Sequence, residues 1–428
     1  MSFRSQSRSR SSVVARLAMA CVSAGLIAAP PLTSAAIPLT LQEATQLAIK
    51  RAPMLEARRA GIASAQEESA RAGALPDPML TVGIDSWPAT GPDAFDFSAE
   101  DMTMKRIGLR QEFPSRAKRR AERVLADRSV DEARAQDSAE QLAVRWTAAE
   151  AWIDLWTAQR ELDALQQLRD QAALAVKVSN ARVAGGGESV SDALATEAAV
   201  LELDNRLEAA GATRSVAQAA LARWLGEAEM EAVDPPDFAS LPIAETQLLA
   251  SVDRTGALLP LTAQVETTAA AIEAARAEKR PDWSIAASYG QRGGGRSDMI
   301  MLEVGIGLPL FPRNRQDRGI AAREADYQAA LARREDMRRQ ETARIRAGIA
   351  RWQGLKRQVG LYEGSVLPLA SDRSTTALAA YRAGGELQPW LNARRDELDA
   401  HLSHVGYLGQ LGRAWAALAF LLPAENQP

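Results

Sequence analysis

Two stretches of strict alternation constrain this chain more than anything else in it. From Met299 to Leu310, the apolar residues Ile300, Leu302, Val304, Ile306 and Leu308 fall at every second position. Met301, Glu303, Gly305, Gly307 and Pro309 stand between them. Successive strand side chains leave opposite faces, so this pattern predicts a strand with one apolar face and one small or charged face. Upstream, Trp283, Ile285, Ala287 and Tyr289 alternate with Ser284, Ala286 and Ser288. The turn-rich Arg292-Gly293-Gly294-Gly295-Arg296-Ser297 joins the two runs into a hairpin over 282–310. A twin hairpin occupies 79–112. Leu80, Val82 and Ile84 alternate in its first strand, and Ile107 and Leu109 alternate with Arg106, Gly108 and Arg110 in its second. A longer loop, 88–101, connects them. Each strand of the 282–310 hairpin has roughly 9–11 residues, the length a tilted strand needs to cross a bilayer.

The rest of the chain repeats along with the hairpins. Phe113-Pro114 and Phe311-Pro312 close them at an offset of 198 (312 minus 114). After the first comes a stretch, Arg116 to Ala184, with neither proline nor glycine. At 1.5 Å per residue such a helix reaches roughly 100 Å. Leu142, Trp146, Ala149, Trp152, Ile153 and Trp156 recur on it at three- and four-residue steps, which places the tryptophans in helix packing. Gly185-Gly186-Gly187 ends it, and Glu188 to Leu225 runs back. The second half follows the same plan. A helical part over 243–278 precedes its hairpin. A long helix over 315–382, kinked at Pro368, stops at Ala383-Gly384-Gly385, and 387–422 returns. The glycine breaks are offset by 199 (384 minus 185). Pro235, Pro236 and Pro242 mark the join, giving repeats over 37–234 and 235–428. Each opens with a short helix. In the first, Thr40 and Glu43 have capping-box spacing, and Pro53 interrupts.

The expected fold class is mainly α with a small β part: a long coiled-coil helical tunnel and four membrane-length strands per chain. Four strands cannot close a barrel, and open sheet edges are not tolerated in hydrocarbon. Identical copies must therefore share one barrel, and three copies give twelve strands. Two amphipathic hairpins capping a soluble helical protein are the alternative.

Composition narrows the function by exclusion. Lys and Arg number 51 against 54 Asp and Glu, so no basic excess points to nucleic acid. Two His and one Cys leave little material for a zinc site or a disulfide framework. No nucleophile, metal cluster or phosphate loop suggests an enzyme, and no cofactor is implied. Residues 1–36 form a signal peptide: Arg4, Arg8, Arg10 and Arg16, then the apolar Leu17 to Ala29, then the small Ser34-Ala35-Ala36. Cys21 lies inside the apolar run. Ala18-Met19-Ala20-Cys21 begins only two residues after Arg16, which argues against a lipid-attachment box.

Several motifs then carry a resemblance. Leu39-Thr40-Leu41-Gln42-Glu43-Ala44 through Ala52-Pro53, Ala219 to Gly226, and Tyr381-Arg382-Ala383-Gly384-Gly385, in this order and spacing, resemble the TolC-type outer-membrane efflux proteins over essentially all of the mature chain. Leu75-Pro76-Asp77-Pro78-Met79, Gly91 to Phe95, Met102-Thr103-Met104 and Gln111-Glu112-Phe113-Pro114 resemble the heavy-metal branch of that family. The resemblance implies a homotrimeric outer-membrane duct of a tripartite pump. Its partners would be a periplasmic adaptor and a proton-driven inner-membrane transporter of the RND type. Its cargo would be heavy-metal cations such as copper, silver, cobalt, zinc or cadmium. A duct for drugs or secreted proteins, or a soluble periplasmic coiled-coil scaffold, are the other readings.

Residue roles follow as expectations. Leu80, Val82, Ile84, Ile107, Leu109, Ile300, Leu302, Val304, Ile306 and Leu308 would face lipid. Arg106, Arg110 and Glu303 would face the lumen, with Trp87 and Trp283 in aromatic girdles. Arg182, Gly185, Gly186, Gly187, Ser189, Arg382, Gly384 and Gly385 would form the periplasmic tips that meet the adaptor. Glu188, Asp192, Glu386 and Asp396 could form acidic rings at the gate. Pro389 and Asn392 stand where the family's second acidic pair is expected, so a ring fits the first repeat better. Met102, Met104, Met299 and Met301 form two M-x-M pairs whose thioethers suit Cu(I), although Met also serves as plain packing. His401 and His404 sit three apart on a helix, and a packing role fits them better than a metal site.

Overall fold

A single four-stranded antiparallel sheet stands at one end of a set of very long helices. The computed structural model describes residues 37–187, 189–226, 229–293 and 295–423. The expected signal segment with Cys21, and Glu188, expected at the gate, lie outside the described residues.

The first repeat opens with a short strand, β1 (Ile37–Leu39), and helix α1 (Leu41–Arg51). Thr40 caps α1 as its spacing predicts: the Glu43 amide donates to Thr40 Oγ1 at 3.3 Å, and the Thr40 amide donates to Glu43 Oε2 at 2.9 Å. Pro53 starts helix α2 (Pro53–Arg71) instead of breaking it, because a first-turn position needs no amide donor. The hairpin follows as β2 (Met79–Asp85) and β3 (Met104–Phe113). Helix α3 (Arg116–Ala184) then runs 69 residues without interruption, capped by Ser115, and α4 (Val190–Leu225) returns from an N-cap at Ser189. A short strand, β4 (Met230–Ala232), pairs in parallel with β1 and closes the repeat.

The second repeat contains α5 (Glu245–Ala250), α6 (Leu259–Ala277), β5 (Asp282–Arg292) and β6 (Met299–Gly307). Its long helix is not continuous. It divides into α7 (Gln316–Leu361), a π-helical turn over Tyr362–Val366, and α8 (Leu367–Arg382). The sequence predicts a kink at Pro368, and the π-helical turn stands just before it: in a regular α-helix the proline ring would offer no amide and would collide with the Gly364 carbonyl one turn back. One wider turn removes that conflict. The last helix, α9 (Gln388–Ala419), packs this wide turn. Tyr407 lies 5.2 Å from the Tyr362 ring, and His404 pairs with Glu363 at 3.2 Å. His404 is thereby engaged in packing and a hydrogen bond.

The main core surrounds Trp152, Ile153 and Leu155 of α3, all fully buried, and draws in α1, α4, α7, α9 and the linker between repeats. The repeat is visible in its hydrogen bonds. Trp152 Nε1 donates to the Leu39 carbonyl at 2.8 Å, and Trp352 Nε1 donates to the Phe238 carbonyl at 2.9 Å. The donors are 200 residues apart (352 minus 152) and the acceptors 199 (238 minus 39). At the joint between sheet and helices, the Asp282 carboxylate accepts from the Ser115 amide at 2.9 Å and from Lys118 Nζ at 2.6 Å. The first residue of β5 is thus bound to the start of α3.

Candidate functional site

The sheet has strand order β2-β3-β5-β6, so the two hairpins join through β3 and β5 and leave β2 and β6 as open edges. Register decides which residues share a face. Val82 pairs with Ile107, Ile107 with Tyr289, and Tyr289 with Ile300; Leu80 pairs with Leu109, Leu109 with Ala287, and Ala287 with Leu302. Opposed residues in an antiparallel pair point the same way. Nine of the ten residues expected on the apolar face therefore occupy one continuous surface across all four strands, together with Trp283 and Ile285. Leu308 lies one residue beyond β6, which ends at Gly307, before the Pro309 that cannot extend the ladder. These aliphatics are open to solvent in the isolated chain, reaching 78% for Ile300 and Leu302. An apolar surface this extended is a surface that something covers.

The opposite face is built from small and charged residues. Arg106 pairs with Asp85 at 3.1 Å, and Arg110 with Glu303 at 3.1 Å. Glycine is a packing requirement here. A Cβ at Gly108 would stand 2.7 Å from Ser288 Cβ and 3.0 Å from Thr81 Oγ1, and one at Gly305 would stand 2.5 Å from Ser284 Oγ. Side chains that crowd on one face and splay on the other belong to a sheet curved toward the crowded side. Met104 and Met301 flank Gly290 on this crowded face, near the hairpin loops. Met299 shares the face, while Met102 stands exposed in the loop.

At the opposite end of the helices, Gly186 takes φ +73° and Gly384 φ +100°, the left-handed conformations that let each long helix reverse tightly. Arg182 stacks its guanidinium 4.2 Å from the Tyr381 ring and donates to the Tyr381 carbonyl at 3.0 Å. Tyr381 in turn stacks flat on Trp390, with 5.7 Å between rings. This ladder ties the tip of the first repeat to that of the second. Sequence reading singles out Arg182 and names Tyr381 only within the Tyr-x-x-Gly motif; it passes over Trp390. Arg382, Gly185, Gly187 and Gly385 lie exposed at the same two turns. Of the acidic residues, Asp192 stands in the first turn of α4 and hydrogen-bonds Ser189 at 2.8 Å. Asp396 is paired with Arg373 at 2.6 Å, and Glu386 is exposed.

A two-faced sheet with open edges, on helices far too long for one globular core, defines a subunit of a membrane duct. The family model described as outer membrane efflux protein matches residues 44–227 and again 252–423. The chain belongs to the outer membrane efflux protein family. It is an outer-membrane protein whose helical part extends into the periplasm. It is 25% identical over 391 residues, 89% of each chain, to the cobalt-zinc-cadmium resistance protein CzcC of Cupriavidus metallidurans. Its fold is shared with a membrane protein from Pseudomonas aeruginosa (TM-score 0.75, 19% identity, 90% of this chain and 93% of that one). It is shared equally with CusC, described in terms of folding and transmembrane channel formation (TM-score 0.75, 14% identity, 90% and 92%).

Proposed function

We propose that three copies of this chain form the outer-membrane duct of a tripartite pump that expels heavy-metal cations. The observation that carries this reading is the sheet: one unbroken apolar face, one polar concave face, and two unpaired edges. In hydrocarbon an unpaired edge costs several kcal/mol per backbone group, so β6 of one copy pairs with β2 of the next until the ring closes. Twelve strands enclose a water-filled lumen lined by the Arg106–Asp85 and Arg110–Glu303 pairs. The aliphatic face meets lipid, with each side chain contributing about 1.5–3 kcal/mol on leaving water. Trp87, just past β2 at the loop end, and Trp283, at the helix end, mark the two membrane interfaces. The helix pairs continue the lumen into the periplasm, and their glycine turns meet an adaptor that links the duct to an RND-type transporter. The substrate class rests on the similarity to a cobalt-zinc-cadmium resistance protein.

The test has two arms. Purified protein added to planar bilayers should give stepwise conductance from a species of three chains. A strain lacking the chain should become sensitive to cobalt, zinc or cadmium and regain resistance with the intact gene. Conductance without metal sensitivity would move the cargo to drugs or secreted proteins. Release from membranes by salt alone, with no conductance, would overturn the duct.

A further inference from the structure

We infer that the outer rim of the sheet holds a built site for the phosphate-bearing headgroup of an outer-leaflet lipid, centred on Lys105. The inference rests on the reading that the apolar face meets lipid. On that face, among all the strand residues from Leu80 to Ile306, Lys105 is the single charged side chain. It belongs to the first turn of pleat below the hairpin loops, opposite Ile84 and Gln291, where the strands leave the bilayer. It makes no ion pair among the described residues, and its ammonium lies 5.5 Å from the centre of the Phe97 ring.

Phe97 is held in place by its neighbours. The loop between β2 and β3 folds back so that Phe97 stacks on Trp87 at 4.5 Å, and Phe95 meets the Trp87 edge at 5.6 Å. Phe95 is a bulky residue at φ +62°, a strained conformation, yet it presents its ring to solvent at 65% exposure. Strain used to expose an aromatic ring points to a surface that is not exposed in use. Below the rings lies an open groove of about 600 Å³ bordered by Val82, Ile84, Phe97, Lys105, Ile107 and Tyr289. The groove is mostly apolar, with Lys105, Arg106 and Gln291 as its polar members. That matches a lipid with acyl chains along the strands and an anionic phosphate at the rim.

No loop carboxylate reaches the Lys105 ammonium: Asp101 pairs with Arg296, Asp298 accepts from the Tyr289 hydroxyl and the Arg292 amide, and Asp96 accepts from Ser98. The two loops are also locked together, with Arg292 donating to the Asp101 carbonyl at 3.1 Å, so the site is formed before any lipid arrives.

The experiment uses the full assembly reconstituted into phosphatidylcholine vesicles doped with bis-phosphorylated lipid A, re-extracted gently and weighed by native mass spectrometry. The intact protein should retain lipid A in preference to phosphatidylcholine. Lys105→Glu should reduce that retention about tenfold, the scale of losing one charge-assisted contact. Lys105→Arg should keep it, and Phe97→Ala should weaken it. Equal retention by Lys105→Glu, or no preference for the phosphorylated lipid, overturns the site. Conductance recorded on the same samples separates the two readings: a conducting assembly without lipid preference removes the lipid site alone, whereas no conductance in the intact protein removes the duct beneath it.

Discussion

The indole of Trp152 shows how one side chain fixes the start of the fold. It is fully buried in α3, and its single donor reaches the last carbonyl of β1, so the incoming chain is set against the longest helix. Trp152→Phe removes the indole donor and part of the ring volume, leaving the Leu39 carbonyl with the Val233 amide as its remaining donor, at a cost of about 1–3 kcal/mol. Trp152→Ala also opens a cavity and should cost about 3–5 kcal/mol. Denaturant unfolding of the pair measures both, and the order phenylalanine milder than alanine is the expected result. Close by, burial pushes the Glu150 carboxyl above its ordinary range, the nearby Asp154 charge adds to that, and Arg413 opposes it. The folded state therefore holds the Glu150 proton more tightly than the unfolded chain does. Its ionisation destabilises the fold as pH rises through the raised value. Glu150→Gln should stabilise the protein at pH 7 and change little near pH 3, where the carboxyl is protonated in both states. Melting curves at the two pH values test the sign.

At the scale of elements, the strands depend on crowding as much as on alternation. Gly108→Val places methyl groups where Ser288 and Thr81 already stand, and the concave face cannot relax toward its own centre. The expected cost is about 1–3 kcal/mol per chain. It should appear as a reduced fraction of assembled oligomer on native gels, with the helical signal in circular dichroism retained. The alternation, the proline and glycine punctuation, and the two offsets near 200 made both hairpins and every long helix legible, α3 to the residue. What stayed hidden has a physical reason in each case. Period two says which residues share a face within one strand, but not that β3 pairs with β5, because that register is set by tertiary docking of Asp282 against α3. The π-helical turn was read as a kink, because Pro368 announces the conflict but not how the backbone resolves it. The return helix α4 starts at Val190 and not Glu188, since the Ser189 side chain takes the cap. The stacked Tyr381 and Trp390 come from α8 and α9, and nothing local in either helix shows that they meet.

For the whole molecule, the proposed duct makes the concave face of the sheet its lumen lining. The concave face carries opposite charges in neighbouring pairs, Arg106 with Asp85 and Arg110 with Glu303, so much of its field cancels over a short distance. In the duct proposed above, such a lining would conduct ions of both signs and leave the choice of cargo to the partner that feeds the tube. Glu303→Arg tests this directly. The side chain lies on the edge strand β6, two positions from Met301, with 65% of its surface open, so a longer residue fits without displacing core packing. The change frees the Arg110 guanidinium and adds a second cation beside it. With three copies around one ring, on the order of six unit charges are altered at a single height in the lumen. Cations then meet a barrier that chloride does not, and the reversal potential across a bilayer with a KCl gradient should move toward the chloride equilibrium value. The shift should shrink as salt is raised, because screening shortens the reach of the ring. An unchanged reversal potential in a conducting assembly would mean that Glu303 does not face the aqueous path, and the assignment of the two faces of the sheet would have to be reversed.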